Sequence, residues 1–112
     1  MSISIDDFKK LNIVVGTIEG VEEIEGSEKL YKFLINIGTG TRQILGGLKL
    51  SYSPTELIGK QVLVLENLEP RKLMGLESQG MILAASGDSP GSEGKPVIIS
   101  PIKEVANGST IR

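Results

Sequence analysis

Cysteine, histidine and tryptophan are missing from this 112-residue chain, and aromatic residues make up only 4% of it. Without cysteine there is no disulfide and no thiolate metal site, which is compatible with a reducing cytoplasm, the expected location. Without histidine the usual general base and the commonest metal ligand are gone. With so few aromatics the core must be built from Ile, Leu and Val. No apolar run is long enough to span a bilayer, and the start, Met1 to Asp7, lacks the basic and apolar regions of a signal peptide. No Gly-x-Ser-x-Gly elbow and no Walker-type phosphate loop occurs. Gly38-Thr39-Gly40 is too short for a dinucleotide site. Glu22, Glu23 and Glu25 lack EF-hand spacing and read as a solvated acidic edge. The expectation is a non-catalytic protein with no cofactor and no metal.

What is present is uneven charge. The net charge is −2 and the isoelectric point about 5.2, unlike a generic nucleic-acid binder. Yet residues 1–28 sum to −5, while residues 29–72 sum to +4. Lys29, Lys32, Arg42, Lys49, Lys60, Arg71 and Lys72 all fall in that middle stretch. Such separation gives a cationic face on an acidic protein, or only solvated strand faces.

The length fits one domain, residues 1–112, with a core spanning about 6–85 and an extension over 86–112. Asp6 or Asp7 is placed to cap a short helix over Phe8 to Leu11. From Asn12 the pattern turns extended, with Gly16 and Gly20 marking a bulge or bend. Glu25 to Glu28 is a turn. Lys29 to Ile37 alternates, placing Tyr31, Phe33, Ile35 and Ile37 on one face. Gly38-Thr39-Gly40 is a hairpin loop, and Thr41 to Leu48 returns as a third strand. Ser53, Pro54 and Glu56 spell a helix start with capping-box spacing, ended by Gly59. Gln61 to Glu66 is a fourth strand and Gly80 to Ala85 a fifth. Ser86 to Lys95 is a loop, Pro96 to Ser100 a short edge strand, and Asn107-Gly108 a turn before Thr110 and Ile111. Three strands, a short helix and two strands make an all-β chain. The order matches a five-stranded oligonucleotide/oligosaccharide-binding barrel, with a short helix between strands three and four and a short N-terminal one. A small open sandwich is the alternative.

The richest stretch runs from Glu66 to Leu83. Pro70 cannot sit in a central ladder, so it marks a turn that holds Arg71 and Lys72 near the sheet. Lys32, Arg42, Arg71 and Lys72 are candidates for phosphate, each contact releasing counterions. Asn67 and Ser78 suit a base edge or a 2′-hydroxyl, and Met81 suits packing on a base. Each has a plainer reading too. Asn67 fits a loop that bonds its own backbone, Ser78 a turn cap, and Met81 the core. With Tyr31 and Phe33 committed to the core, exposed stacking platforms are scarce. Recognition of a folded RNA shape is favoured over a long single strand. On composition alone, a polymer-binding module stands only slightly ahead of a dimeric scaffold.

The stretch Asn67-Leu68-x-Pro70-Arg71-Lys72-Leu73-Met74-Gly75-x-x-Ser78-x-Gly80-Met81-Ile82-Leu83 is long and specific. With Asp7-Phe8-x-Lys10, Val15-Gly16-x-Ile18, Glu25-Gly26-Ser27-x-Lys29-Leu30, Arg42-Gln43-Ile44 and Pro54-x-Glu56-Leu57-x-Gly59-Lys60, it resembles the structure-specific tRNA-binding domain. That domain occurs at the C-terminus of many methionyl-tRNA synthetases and as a free-standing protein. The resemblance implies a homodimer that binds the outer corner of the tRNA L without anticodon specificity, with a synthetase catalytic chain as a further partner. It implies RNA contacts at Lys32, Arg42, Asn67, Lys72, Ser78 and Met81, to which Arg71 is added. The dimer would use Ile3 to Leu11 and Val97 to Ile111. Gly46 stands where relatives often carry serine. A related export chaperone shares the fold but lacks most of the long motif, so a protein-interaction module is the alternative function.

Overall fold

A computed structural model describes residues 1–87 and 94–112. Most of the expected loop Ser86–Lys95 therefore lies outside the described residues. The strands are β1 (Ile13–Glu23), β2 (Tyr31–Asn36), β3 (Thr41–Gly46), β4 (Gln61–Leu65), β5 (Arg71–Leu73), β6 (Leu76–Ser78), β7 (Met81–Ile82), β8 (Ala84–Ala85) and β9 (Val97–Ile98). Two short helices, α1 (Ile5–Phe8) and α2 (Pro54–Leu57), flank the first three strands. The main sheet is antiparallel in the order β3-β2-β1-β4-β7, and it curls until β3 and the segment before β7 meet. This is the expected oligonucleotide/oligosaccharide-binding barrel, with α2 between β3 and β4.

Alternation builds the core. Tyr31, Phe33, Ile35 and Ile37 turn inward from β2 and the residue after it, against Ile44 of β3 and Val62 and Val64 of β4. Each such buried side chain contributes about 1.5–3 kcal/mol through loss of apolar surface to water. β1 is long because it serves two neighbours. Its first half pairs with β4 and its second with β2, and the register slips between Ile18 and Gly20, the bulge expected there. The free edge of its first half is filled by the C-terminal segment. Val15 N–H donates to the Ser109 carbonyl (2.9 Å), and Ile111 N–H to that of Ile13 (2.9 Å). Leu57 of α2 is fully buried. Ser53 N–H and then its hydroxyl donate to the Glu56 carboxylate, which holds the Glu56 pKa below its ordinary value.

Three expectations need correction. The first helix starts at Ile5, because the Ser4 hydroxyl accepts from Asp7 N–H (3.1 Å) and caps it ahead of the aspartates. The fifth strand is broken at Leu83: β7 pairs with β4, whereas β8 turns away to pair with β9. Residues 71–78, expected only to follow a turn at Pro70, form a separate two-stranded ribbon, β5–β6.

Candidate nucleic-acid interface

β4 ends at Leu65 and β7 begins at Met81, so residues 66–80 leave the barrel and return to it. Their two feet are tied by one side chain. Arg42 pairs with Ile35 across β2–β3 and therefore shares its inner face, half-buried. Its Nη1 donates to the carbonyl of Glu66 (3.1 Å) and to that of Gln79 (3.3 Å). Asn67 ties the same foot to the N-terminal segment. Its Oδ1 accepts from Asn12 N–H (2.8 Å) and its Nδ2 donates to the Lys10 carbonyl (2.8 Å). The Asn12 side-chain amide donates to the Glu66 carboxylate.

Between these feet stands the ribbon. Met74 (φ 53°) and Gly75 (φ 77°) both take left-handed backbone, the requirement of the tight two-residue hairpin turn. Arg71 faces Ser78 across the ribbon and Lys72 faces Glu77. Arg71 and Lys72 are exposed, and among the described residues neither makes an ion pair. Ser78 is the opposite case, at 1% exposure. Its hydroxyl accepts from Leu45 N–H (3.0 Å) and donates to the Gly80 carbonyl (3.0 Å). In the free chain, then, the Ser78 donor is in use and its oxygen is buried. Gly80 needs to be glycine, since its φ is +131° and a Cβ there would lie 2.9 Å from the Leu65 carbonyl oxygen.

Lys32 and Met81 complete the set. Lys32 pairs with Leu45 on the outer face of β2–β3, and its ammonium meets the Glu22 carboxylate at 2.7 Å. Met81 is half-buried and pairs with Leu65. The seven candidates thus form one connected stretch. Lys32 neighbours Leu45, Leu45 bonds Ser78, Ser78 faces Arg71, and Lys72 follows. Arg42 joins Gln79 to Glu66, next to which sits Asn67, and Met81 follows Gly80. They are not equivalent, however. Arg71 and Lys72 reach into solvent, Lys32 is already paired, and Arg42, Asn67 and Ser78 hold the frame. Gln43 and Gln79 also belong here and were not among the candidates. Gln43 Nε2 donates to the Glu77 carbonyl (2.9 Å), and Gln79 Oε1 accepts from Gln43 N–H (3.2 Å). Gln43 stood in the motif Arg42-Gln43-Ile44, whereas the signal for Gln79 was its place beside Ser78. Among the described residues no cluster of acidic side chains is arranged to hold a metal ion, and no helix is long and apolar enough to cross a membrane.

Residues 13–110 match the family model described as "Putative tRNA binding domain". The chain is 47% identical over 109 residues, 97% of its length, to a methionine–tRNA ligase of Caldanaerobacter subterraneus, but spans only 16% of that ligase. It superposes on the crystal structure of a protein from Pyrococcus horikoshii, described as related to methionyl-tRNA synthetase (MetRS), with a TM-score of 0.90 and 32% identity, covering 100% of this chain and 99% of that one. It also superposes on the chaperone CsaA of Bacillus anthracis with a TM-score of 0.85 and 26% identity, each chain covered in full at 100%.

Proposed function

The chain belongs to the tRNA-binding domain family, and we propose that it docks on the outer corner of tRNA through the β5–β6 ribbon, recognising shape without reading the anticodon. It is a tRNA-binding domain and not a catalytic one. The observation that carries the proposal is the exposed pair Arg71 and Lys72, free of intramolecular ion pairs among the described residues and mounted on a ribbon fixed at both feet. Phosphates dock on these cations and release counterions. Lys32 joins by exchanging Glu22 for phosphate, and the half-buried Met81 offers an apolar contact at the base of the ribbon. The acidic remainder of the protein restrains non-specific binding to other nucleic acids.

The domain works in the cytoplasm as one unit, beside a methionyl-tRNA synthetase catalytic chain, and as a homodimer. Ile3, Ile5 and Leu11 near one end, and Ile99, Ile102 and Val105 near the other, remain exposed. A second copy covering them would remove that apolar surface from water. The same residues favour a second reading, in which the apolar ends hold a client peptide, in keeping with the likeness to a chaperone.

Titration into unfractionated tRNA and into duplex DNA at several salt concentrations, with the oligomer mass measured alongside, tests the proposal. Preference for tRNA with a salt slope that falls in Arg71→Ala and Lys72→Ala supports it. Equal binding of both polymers, or none of either, overturns it.

A further inference from the structure

We infer that Gln43 and Gln79 are positioning residues that, with Ser78, latch the β5–β6 ribbon onto β3 and so present Arg71 and Lys72 in a preset geometry. The inference rests on the RNA-binding reading above. The ribbon forms no ladder with the main sheet, and a lone two-stranded hairpin is at best marginally stable in water. Something else must hold it. On β3 the N–H groups of Gln43 and Leu45 face away from β2, where a neighbouring strand's carbonyls would normally accept them. Two side-chain oxygens take the place of those carbonyls. Gln79 Oε1 accepts from Gln43 N–H (3.2 Å), and Ser78 Oγ accepts from Leu45 N–H (3.0 Å). Two more bonds complete the seam. Gln43 Nε2 donates to the Glu77 carbonyl (2.9 Å), and Gln79 N–H to the Gln43 carbonyl (2.8 Å).

Only the last of these four bonds joins backbone to backbone. The seam therefore depends on side chains that can be removed without touching the strands. Its consequence is energetic. A ribbon already fixed loses little freedom when RNA arrives, whereas a loose one must be ordered at the expense of affinity. Neither glutamine need touch RNA for this to hold.

The test uses the full chain, amide hydrogen exchange and titration with unfractionated tRNA across a salt series. In Gln43→Ala, which removes the Nε2 bond to the Glu77 carbonyl, amides of residues 71–78 are expected to exchange about ten-fold faster, and tRNA affinity to fall about five- to ten-fold, as loss of one such bond implies. The salt slope should stay unchanged, because both cations still meet phosphates in the complex. Gln79→Ala is expected to behave alike, which removes dependence on the more deeply buried Ser78. Loss of affinity with unchanged ribbon exchange would make Gln43 a direct contact and overturn the inference. Faster exchange with unchanged affinity would overturn it as well. Full affinity in the Arg71→Ala/Lys72→Ala double variant would instead refute the RNA site itself, and that result is independent of the exchange measurement.

Discussion

The barrel wall and the β5–β6 ribbon are built on opposite plans. The wall of β1 to β4 is held by backbone ladders and an apolar interior, with Ile18, Phe33, Ile35, Ile44, Val62 and Val64 entirely buried. The ribbon has a three-residue strand on each side, exposed cations, and anchorage by side chains at its feet. The wall resists change because each residue is supported by many others. The ribbon can carry unpaired charge because it contributes little to the core. The difference teaches that residues adjacent in one motif can have opposite duties: Arg71 and Lys72 reach out, while Ser78 a few positions on holds still.

The sharpest way to test this contrast is to strike each region and read stability and binding separately. Phe33→Ala should destabilise the wall by about 3–5 kcal/mol, a large share of a small domain's stability. Thermal unfolding monitored by circular dichroism should show it, and tRNA binding should vanish with the fold. Arg42→Ala should come next. It frees the Glu66 and Gln79 carbonyls at the two feet, so about 1–3 kcal/mol of stability is expected to go with it. Affinity for all tRNAs should weaken alike. If Arg42→Ala weakened binding while leaving the melting temperature untouched, Arg42 would be a contact and not a staple, and the division of duties would be wrong.

Lys72→Ala should give the reverse signature. Stability should stay within about 0.5 kcal/mol of the parent, as for most exposed positions. The slope of log affinity against log salt should flatten by about 0.7–0.9, the value for one lost phosphate contact. A variant that lost stability instead would erase the contrast between ribbon and frame.

Which parts of this could be read beforehand follows from how local the physics is. The alternation Tyr31-Lys32-Phe33-Leu34-Ile35 fixes β2 and its inner face, because side chains alternate with a period of two. Ser53, Pro54 and Glu56 fix α2, because a capping box acts within one turn. The ribbon escaped notice because its turn is Met74-Gly75 rather than the usual Asn-Gly, so nothing local announces left-handed backbone at residue 74. The candidate residues were legible as a group but not in their duties. Whether Asn67 meets RNA or Lys10 depends on partners 57 positions away, and the bond of Ser78 to Leu45 spans 33. Residue type shows what a side chain can bond, and only the fold shows what it does bond.

The smallest expected effect concerns Lys32, the candidate cation on the outer face of the wall. Lys32 already faces Glu22 at 2.7 Å, with 61% of the Glu22 side chain exposed. Such a pair contributes only about 0.2–1 kcal/mol, so phosphate can displace the carboxylate at small cost. Glu22→Gln removes the competitor, and tRNA affinity should rise about two- to five-fold at low salt, with the gain shrinking as screening shortens the reach of charge. Removing any negative charge helps an acidic protein approach RNA, so the comparison needs a second variant. Glu19→Gln makes the same charge change on β1, where Glu19 accepts from Asn36 (3.3 Å) and does not pair with Lys32. A larger gain from Glu22→Gln than from Glu19→Gln assigns Lys32 to the interface. Equal gains would leave the ribbon as the only cationic contact, with the wall acting purely as its support.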